Sequence, residues 1–591
     1  MKPVIDILDE RIGAAMAKAA GGVRGAAMVR PATDPKFGDY QVNGVMPLAK
    51  KVQTDPRTVA ELIIRTLKIN DICEKPEIAG PGFINLRLKA NFVADRLLEI
   101  NADSQKRLGV EKTTQPKTIV VDFSGPNIAK QMHVGHLRST IIGDCICRLL
   151  EFQGHDVKRQ NHIGDWGTQF GMLCALFDKI LLEAPRGEAI NRDETLADIE
   201  EFYRQAQSLY KNNEEFARTA HVAVVGLHTG DGPWVTYWKG IVKTTTKHFR
   251  EVYDRLCVTL KDEHIRGESF YKDMLSDIVA ELKKKKLAEE SDGAVCVFPE
   301  GFKNKEGQPL PFIIQKSDGA YLYATTDLAA LRYRVQELKA DRIIYVTDAR
   351  QSLHFQMLFK VAALAGWAKP DMLIHIAFGS VLGENGKPLR TREGENVKLK
   401  DLLTEAVERA KAVVEEKNPD LPPERKDEIA RAVGIGAVKY ADFSNNRTSD
   451  YVFSFNKMLA MDGNTAPYMQ YAYARIKSIE RKGKDRGIDV EEEQSKVEKA
   501  NLTEPAELDL AKHLVRYVEA IGAAAVDYRP NYLTAYLYEL AQKFSAFYTN
   551  CPVLDAGADK RPTRLLLCDL TAKTIKHGLS ELLGIEVVEQ M

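Results

Sequence analysis

The stretch AKQMHVGHLRST, residues 129–140, sets His133 and His136 around Gly135 at the start of an apolar-periodic run. Immediately before it stands KTIVVDFSG, residues 117–125, rich in the isoleucine and valine that a buried parallel strand requires. After it, Leu137, Ile141, Cys145, Leu149 and Phe152 fall on or near one helical face. DVKRQNHIGD, residues 156–165, then supplies a second strand-like run. Strand, loop, helix, strand is the opening of a doubly wound α/β domain. In such a sheet ligands bind beyond the carboxyl ends of the strands, and the free N–H groups and dipole of the next helix favour phosphate. His133 just outside that helix and His136 on its first turn are placed to aim imidazoles at one anion. Gly135 lets a flat base or ribose approach the backbone. The spacing by itself also admits surface or core histidines, or a zinc site, for which two further ligands at sensible spacing are missing.

Two more strand signals come late, RIIYVTDA at 342–349 and LIHIAFGSVL at 373–382. Between the pairs lies a long helical interruption, about 175–290, with charged runs such as LADIEEFYRQAQ. It reads as an insertion within a nucleotide-binding domain at 113–400. Residues 1–112 read as a small mixed domain. Helices are predicted in IDILDERIGAAMAKAA and FGDYQVNGVMPLAKKV, and a glycine-interrupted strand in PEIAGPGFINLRL. Beyond 400 strand signals almost vanish, so 401–591 reads as a helical bundle. ERKGKDRGIDVEEEQSKVEKA, residues 480–500, reads as a solvated connection.

Lysine plus arginine equals aspartate plus glutamate at 83 each, so net charge points to neither nucleic acid nor membrane. Local field, not net charge, decides such binding. The eight cysteines are scattered without a CxxC, which argues against structural zinc and for reduced thiols. No basic-then-apolar leader and no apolar run of spanning length is present, so the chain reads as soluble and cytoplasmic.

The residues also carry a resemblance. HVGH resembles the HIGH signature of class I aminoacyl-tRNA synthetases, and VDFSGPNIAKQMHVGHLRSTIIGD is similar, nearly residue for residue, to the arginyl-tRNA synthetases. The similarity continues through NHIGDWGTQFG, YDRL, GESFY, YATTDLAA, GENGKPLRTREGE and DGNTAPYMQYAYARI, to the closing GLSELLGIEVVEQM. It implies a Rossmann-type class I catalytic domain with a helical insertion. Beside that domain it implies a small α+β N-terminal domain that contacts the tRNA D-loop, and an all-α anticodon-binding bundle. The implied partners are L-arginine, ATP with Mg²⁺ and tRNA(Arg), and the implied state is a monomer. The implied chemistry is formation of arginyl-adenylate, then transfer to the 2′-hydroxyl of the terminal adenosine. No structural zinc and no protein ligand to magnesium is expected.

An arginine site needs acceptors for a guanidinium fork. Asp122 ends the strand before the HVGH loop, and Asn127 follows five residues on. Tyr323 and Asp327 share a face if YATTDLAALRYRV is helical. Gln351 follows a strand. Each alone is an ordinary polar residue; the resemblance makes all five arginine-binding positions. His133 and His136 are implied as phosphate donors. Where class I enzymes place a KMSKS loop, this chain reads KPLRTR, so Lys387, Arg390 and Arg392 are the candidate cations, with Lys130 as the family's compensating lysine. For tRNA, Phe83 and Asn85 fall in the D-loop-facing segment, and Tyr548 and Met591 in the anticodon-facing one. Trp234 and Trp238, four apart, read as packing. Two rivals are an RNA-binding protein on a decayed synthetase, and a nucleotidyltransferase sharing the HxGH site. The first predicts losses at His133, His136, Asn127, Tyr323 or Asp327 that do not occur. The second needs no arginine pocket and no helical C-terminal domain.

Overall fold

The computed structural model describes all residues except 168, 184–198, 231 and 391–395. The chain forms two compact units, one of residues 113–459 with 582–585, the other of 1–112, 460–581 and 586–591.

The first unit is built on a four-stranded parallel sheet. Its strands are β1 (Thr118–Asp122), β2 (Asp156–Gln160), β3 (Arg342–Asp348) and β4 (Leu373–Phe378), in the order β4-β3-β1-β2. All four match strand-like runs read from sequence, three of them apolar and the edge strand β2, DVKRQ, half-exposed. Because β2 lies on one side of β1 and β3 on the other, the chain reverses its winding at β1, and the carboxyl ends of β1 and β3 flank the switch point where such sheets bind ligands.

The helix Val134–Phe152 follows β1, with Leu137, Ile141, Cys145 and Leu149 all buried. Its close seat on the strand end depends on Gly143, where a Cβ would lie 2.3 Å from the Phe123 ring. The expected helical insertion is present as Gln169–Glu183, Ile199–Asn212, Glu214–Thr229 and Trp234–Arg255. Trp238 packs within it and donates from Nε1 to the Asp165 carbonyl at 2.8 Å. An antiparallel sheet that was not expected then follows: Ala288–Ser291, Ala294–Val297 and Phe312–Gln315. Its first turn is Asp292-Gly293, both at positive φ (50° and 77°), the geometry that a two-residue hairpin demands.

The helices Leu399–Lys417 and Pro423–Phe443 also belong to this unit, so the division falls after 459 and not at 400. Periodicity announced these helices but not what they pack against. The second carries Asp442 to Arg138 of the Val134–Phe152 helix as an ion pair at 3.0 Å, with both side chains 1% exposed.

The second unit holds the helix Val4–Ala19 and a four-stranded antiparallel sheet, Val29–Pro31, Tyr40–Val42, Phe83–Leu86 and Glu77–Ala79 in that spatial order. The stretch read as one helix at 37–52 is instead a strand, Tyr40–Val42, followed by the helix Val45–Val52. Six further helices between Ala466 and Lys576 make the bundle, and part of the charged stretch read as a connection is helical, as Val490–Ser495 and the end of Ala466–Asp485. The small α+β domain, the α/β domain with its insertion and the all-α C-terminal domain are therefore all present.

Removing one partner of a buried ion pair leaves an uncompensated charge. Asp442→Ala is expected to lower the stability of the unit by about 3–5 kcal/mol, read from the urea midpoint. A loss no larger than a surface substitution causes would show that the pair does not anchor the helix.

Candidate active site

The loop after β1 is held in an uncommon conformation, with Ser124, Gly125 and Ala129 at positive φ (73°, 56° and 62°). Such backbone persists only where its surroundings over-determine it. Here a buried polar network does so. Ser124 Oγ lies 2.8 Å from the Tyr253 hydroxyl, Asn161 Nδ2 donates to that hydroxyl at 3.1 Å, and Asn161 Oδ1 accepts from the Gly125 N–H at 3.0 Å. The quoted YDRL and NHIGD segments therefore shape the loop that carries the histidines.

His133 caps the Val134–Phe152 helix, its Nδ1 accepting from the Gly135 N–H at 3.1 Å. His136 reciprocates, its Nδ1 accepting from the His133 N–H at 3.1 Å. The ring centroids are 4.0 Å apart. Burial, then the charge of Lys130, lowers the pKa of His133. Burial, then His133, lowers that of His136 to about 3. Two neutral rings that accept at Nδ1 carry their protons on Nε2, so each keeps one outward-capable N–H donor. A Cβ on Gly135 would lie 2.8 Å from the His133 ring, so the glycine also makes room for its neighbour.

The backbone at 132–134 is tied to residues 397–399: Val134 N–H donates to the Val397 carbonyl and Leu399 N–H to that of Met132, both at 2.9 Å. Lys387 is exposed in a turn at 383–388, and Arg390 bridges to Asn396. Arg392 lies outside the described residues. Lys130 places its ammonium 5.3 Å over the Tyr203 ring of the insertion. Together with Gln131, His133, Glu200, Arg204 and Lys398 it lines a cavity of about 310 Å³.

The five predicted arginine-site residues gather at the ends of β1 and β3 and on the helix Tyr323–Gln336. Asp122 ends β1, but its carboxylate is matched by an internal cation: buried Arg334 pairs with Oδ2 at 2.8 Å and donates from Nε to Gln160 at 2.8 Å. Asn127 is exposed, its amide lying over Gly164, where a Cβ would sit 2.2 Å from Oδ1. Tyr323 opens its helix and is 72% exposed, and Asp327 stands one turn on. Gln351 sits just beyond β3, in the turn Ala349–Gln351.

Three residues escaped the reading of the sequence. His354 Nε2 lies 2.7 Å from one Asp327 oxygen and His162 Nε2 3.9 Å from the other. Glu268 has its pKa raised to about 7 by burial, then by Asp165 and Asp327. The segments of His162 and Glu268, NHIGD and GESFY, stood among the quoted stretches, but only their closeness to Asp327 in the fold gives these side chains and His354 a purpose. Among the described residues no three His, Cys, Asp or Glu side chains are grouped to hold a metal.

Known proteins decide the family. Residues 99–455 match the class I tRNA synthetase (R) catalytic domain, 6–88 the arginyl tRNA synthetase N-terminal domain, and 469–591 the DALR anticodon-binding domain. The arginine–tRNA ligase of a Synechococcus strain is 50% identical and that of Hahella chejuensis 48%, each over 99% of both chains. The chain belongs to the arginyl-tRNA synthetases. It is accordingly an enzyme, a class I ligase that joins arginine to tRNA(Arg). Solved synthetases of the family agree: that of Plasmodium falciparum superposes with a TM-score of 0.84 at 31% identity, and that of Thermus thermophilus at 0.80 and 26%, each over the whole of both chains.

In this synthetase the residues expected to face tRNA lie in the second unit. Tyr548 and Met591 line one cavity of about 430 Å³ with Tyr471, Arg475, Arg481 and Lys482. The Arg475 guanidinium stands 4.7 Å over the Tyr471 ring and 5.3 Å over that of Tyr548. Phe83 and Asn85 share one face of the antiparallel sheet, where a polar row runs Arg30, Gln41, Asn85, Glu77. Asn85 is buried and its Oδ1 accepts from Gln41 Nε2 at 2.9 Å, which leaves its amide N–H groups as donors. No helix among the described residues is long and apolar enough to cross a membrane.

Gly135→Ala tests the histidine arrangement. Alanine favours a helix over glycine, but the displaced His133 ring loses its cap on the Gly135 N–H, so thermal stability should change little. Displacement of the His133 ring should still cut the activation rate on the order of 10²-fold, the cost of one misplaced donor. A Gly135→Ala enzyme of full activity contradicts the arrangement.

Proposed function

We propose that His133 and His136 donate from Nε2 to the phosphates of ATP while Asp327, Glu268, Tyr323, Asn127 and Gln351 hold L-arginine. The observation that carries this is the pair of neutral, backbone-anchored imidazoles at a helix N-terminus just beyond β1, in the same domain as Asp327, on the helix Tyr323–Gln336, and Glu268, carboxylates close enough to influence one another. Asp122, already matched by Arg334, shapes the arginine site and offers an acceptor to the ammonium end of the substrate; the charge for the guanidinium is that of Asp327, which has histidines and no lysine or arginine at its oxygens among the described residues, and of Glu268.

The arginine carboxylate attacks the α-phosphorus. One carboxylate-oxygen bond to phosphorus forms, the bond to the bridging α–β oxygen breaks, and pyrophosphate leaves with the electron pair. The 2′-hydroxyl of the terminal adenosine of tRNA then attacks the arginyl carbonyl, and AMP departs. Neither step uses a protein nucleophile, so positioning and charge stabilisation carry the rate. Lys130, Lys387, Arg390 and Arg392 supply positive charge to the triphosphate. The cavity beside His133 carries three cations and one carboxylate, a lining suited to phosphate and not to a metal cage. Magnesium therefore arrives on the nucleotide, neutralising phosphate charge and held by phosphate and water oxygens.

On the second unit, the cavity of Tyr471, Arg475, Tyr548 and Met591 takes unstacked anticodon bases, joining stacking rings to cations. The sheet face with Phe83 and Asn85 takes a D-loop base. The synthetase works as a cytoplasmic monomer in this reading.

Arginine-dependent ATP–pyrophosphate exchange, with and without tRNA(Arg) and with lysine as control, tests the assignment. Exchange with arginine alone among the amino acids is expected; none under any condition with folded protein refutes it. Glu268 adds a pH signature. Its carboxyl takes a proton as pH falls through about 7, and that proton competes with the guanidinium. KM for arginine should rise below that pH, and Glu268→Gln should raise KM at high pH and flatten the profile. A profile unchanged by the substitution would remove Glu268 from the site.

A further inference from the structure

The cation best fixed against His133 lies outside the KPLRTR segment. Lys398 is the antiparallel bridge partner of His133, and the backbone hydrogen bonds of Val397 and Leu399 lock that register on either side. Its side chain lines the cavity of about 310 Å³ beside His133, with Lys130, Tyr203 and Arg204. Its ammonium rests on Glu200 of the inserted helix Ile199–Asn212 at 2.8 Å, with the two side chains 34% and 30% exposed. Among the described residues, Glu200 is the one carboxylate beside the three cations that line this cavity.

Such a lining attracts a polyanion, and a partly exposed ion pair is weak enough to be exchanged for one. We propose that Lys398 is a phosphate-contacting residue of the activation step, gripping the triphosphate tail of ATP, and that Glu200 holds its ammonium until the nucleotide arrives. The step is an ion exchange with no covalent change. One carboxylate partner is replaced by phosphate oxygens of higher charge, and Glu200 is released to solvent. Lys398 touches substrate; Glu200 is a positioning residue that acts through it. The inference rests on the placement of ATP at the HVGH loop.

The test is the dissociation constant of ATP–magnesium on the full chain, alongside KM for ATP in arginine-dependent exchange. Lys398→Met should weaken ATP about 10-fold or more, the scale of one charge-assisted contact, and Lys398→Arg should restore most of it. Glu200→Gln should tighten ATP instead, because the competing carboxylate is gone. The double substitution should match Lys398→Met. A mere strut between the insertion and the loop predicts the same direction for both single variants, so equal weakening overturns the proposal, as does indifference to either. If Lys398→Met does not fold, Glu200→Gln decides: tighter binding supports the proposal, unchanged or weaker binding overturns it. Wild-type protein that binds ATP without arginine-dependent exchange would refute the proposed reaction while the ATP affinities still judged Lys398.

Discussion

The site is organised by one exchange of hydrogen bonds at a helix terminus. His133 and His136 each commit Nδ1 to a backbone N–H of the other's turn. Orphan donors of the first helical turn are satisfied in this way. The same bonds fix the tautomer, and burial keeps both rings neutral. What is left over is a pair of Nε2–H donors with no charge to repel the nearby lysines. Gly135 and the Ser124–Tyr253–Asn161 network serve that geometry, one by leaving space and the other by holding the preceding turn.

Charge is sorted around this pair. On the side proposed for the nucleotide, Lys130, Arg204 and Lys398 outnumber Glu200 in the cavity lining. On the side proposed for arginine, burial first, then Asp165 and then Asp327 raise the pKa of Glu268. In the proposed site a guanidinium would offset both the burial and the like charge, which would link specificity to electrostatics and not to shape alone. Asp122 differs because Arg334 already neutralises it, and that buried pair also fixes the ends of β1 and β2 through Gln160.

Much of this was legible in the chain. Three of the four parallel strands are apolar runs that burial makes easy to read, whereas the edge strand Asp156–Gln160, DVKRQ, is half-exposed and was legible from its place after the helix. The HVGH helix and its apolar face followed from spacing. The misses share a cause. The strand Tyr40–Val42 is too short for its alternation to outweigh the helix that follows. The sheet after the insertion was signalled by the Asp292-Gly293 turn and the short runs AVCV and FIIQ, which the reading of the sequence passed over. The helices Leu399–Lys417 and Pro423–Phe443 were legible as helices, but periodicity does not say which core they serve. At the site, Tyr323 and Asp327 could be paired by helical spacing, whereas His162, His354 and Glu268 meet Asp327 only through the fold.

The protonation of the two rings decides whether they can act as neutral donors. Nitrogen NMR of the protein with ¹⁵N-labelled histidine, assigned by His133→Gln and His136→Gln, reads it directly. The account predicts two neutral rings protonated at Nε2 near neutral pH, with His136 still untitrated well below the usual histidine range, since its pKa is about 3. A proton on Nδ1 of either ring, or a His136 that titrates near about 6.5 like a solvent-exposed histidine, would contradict it.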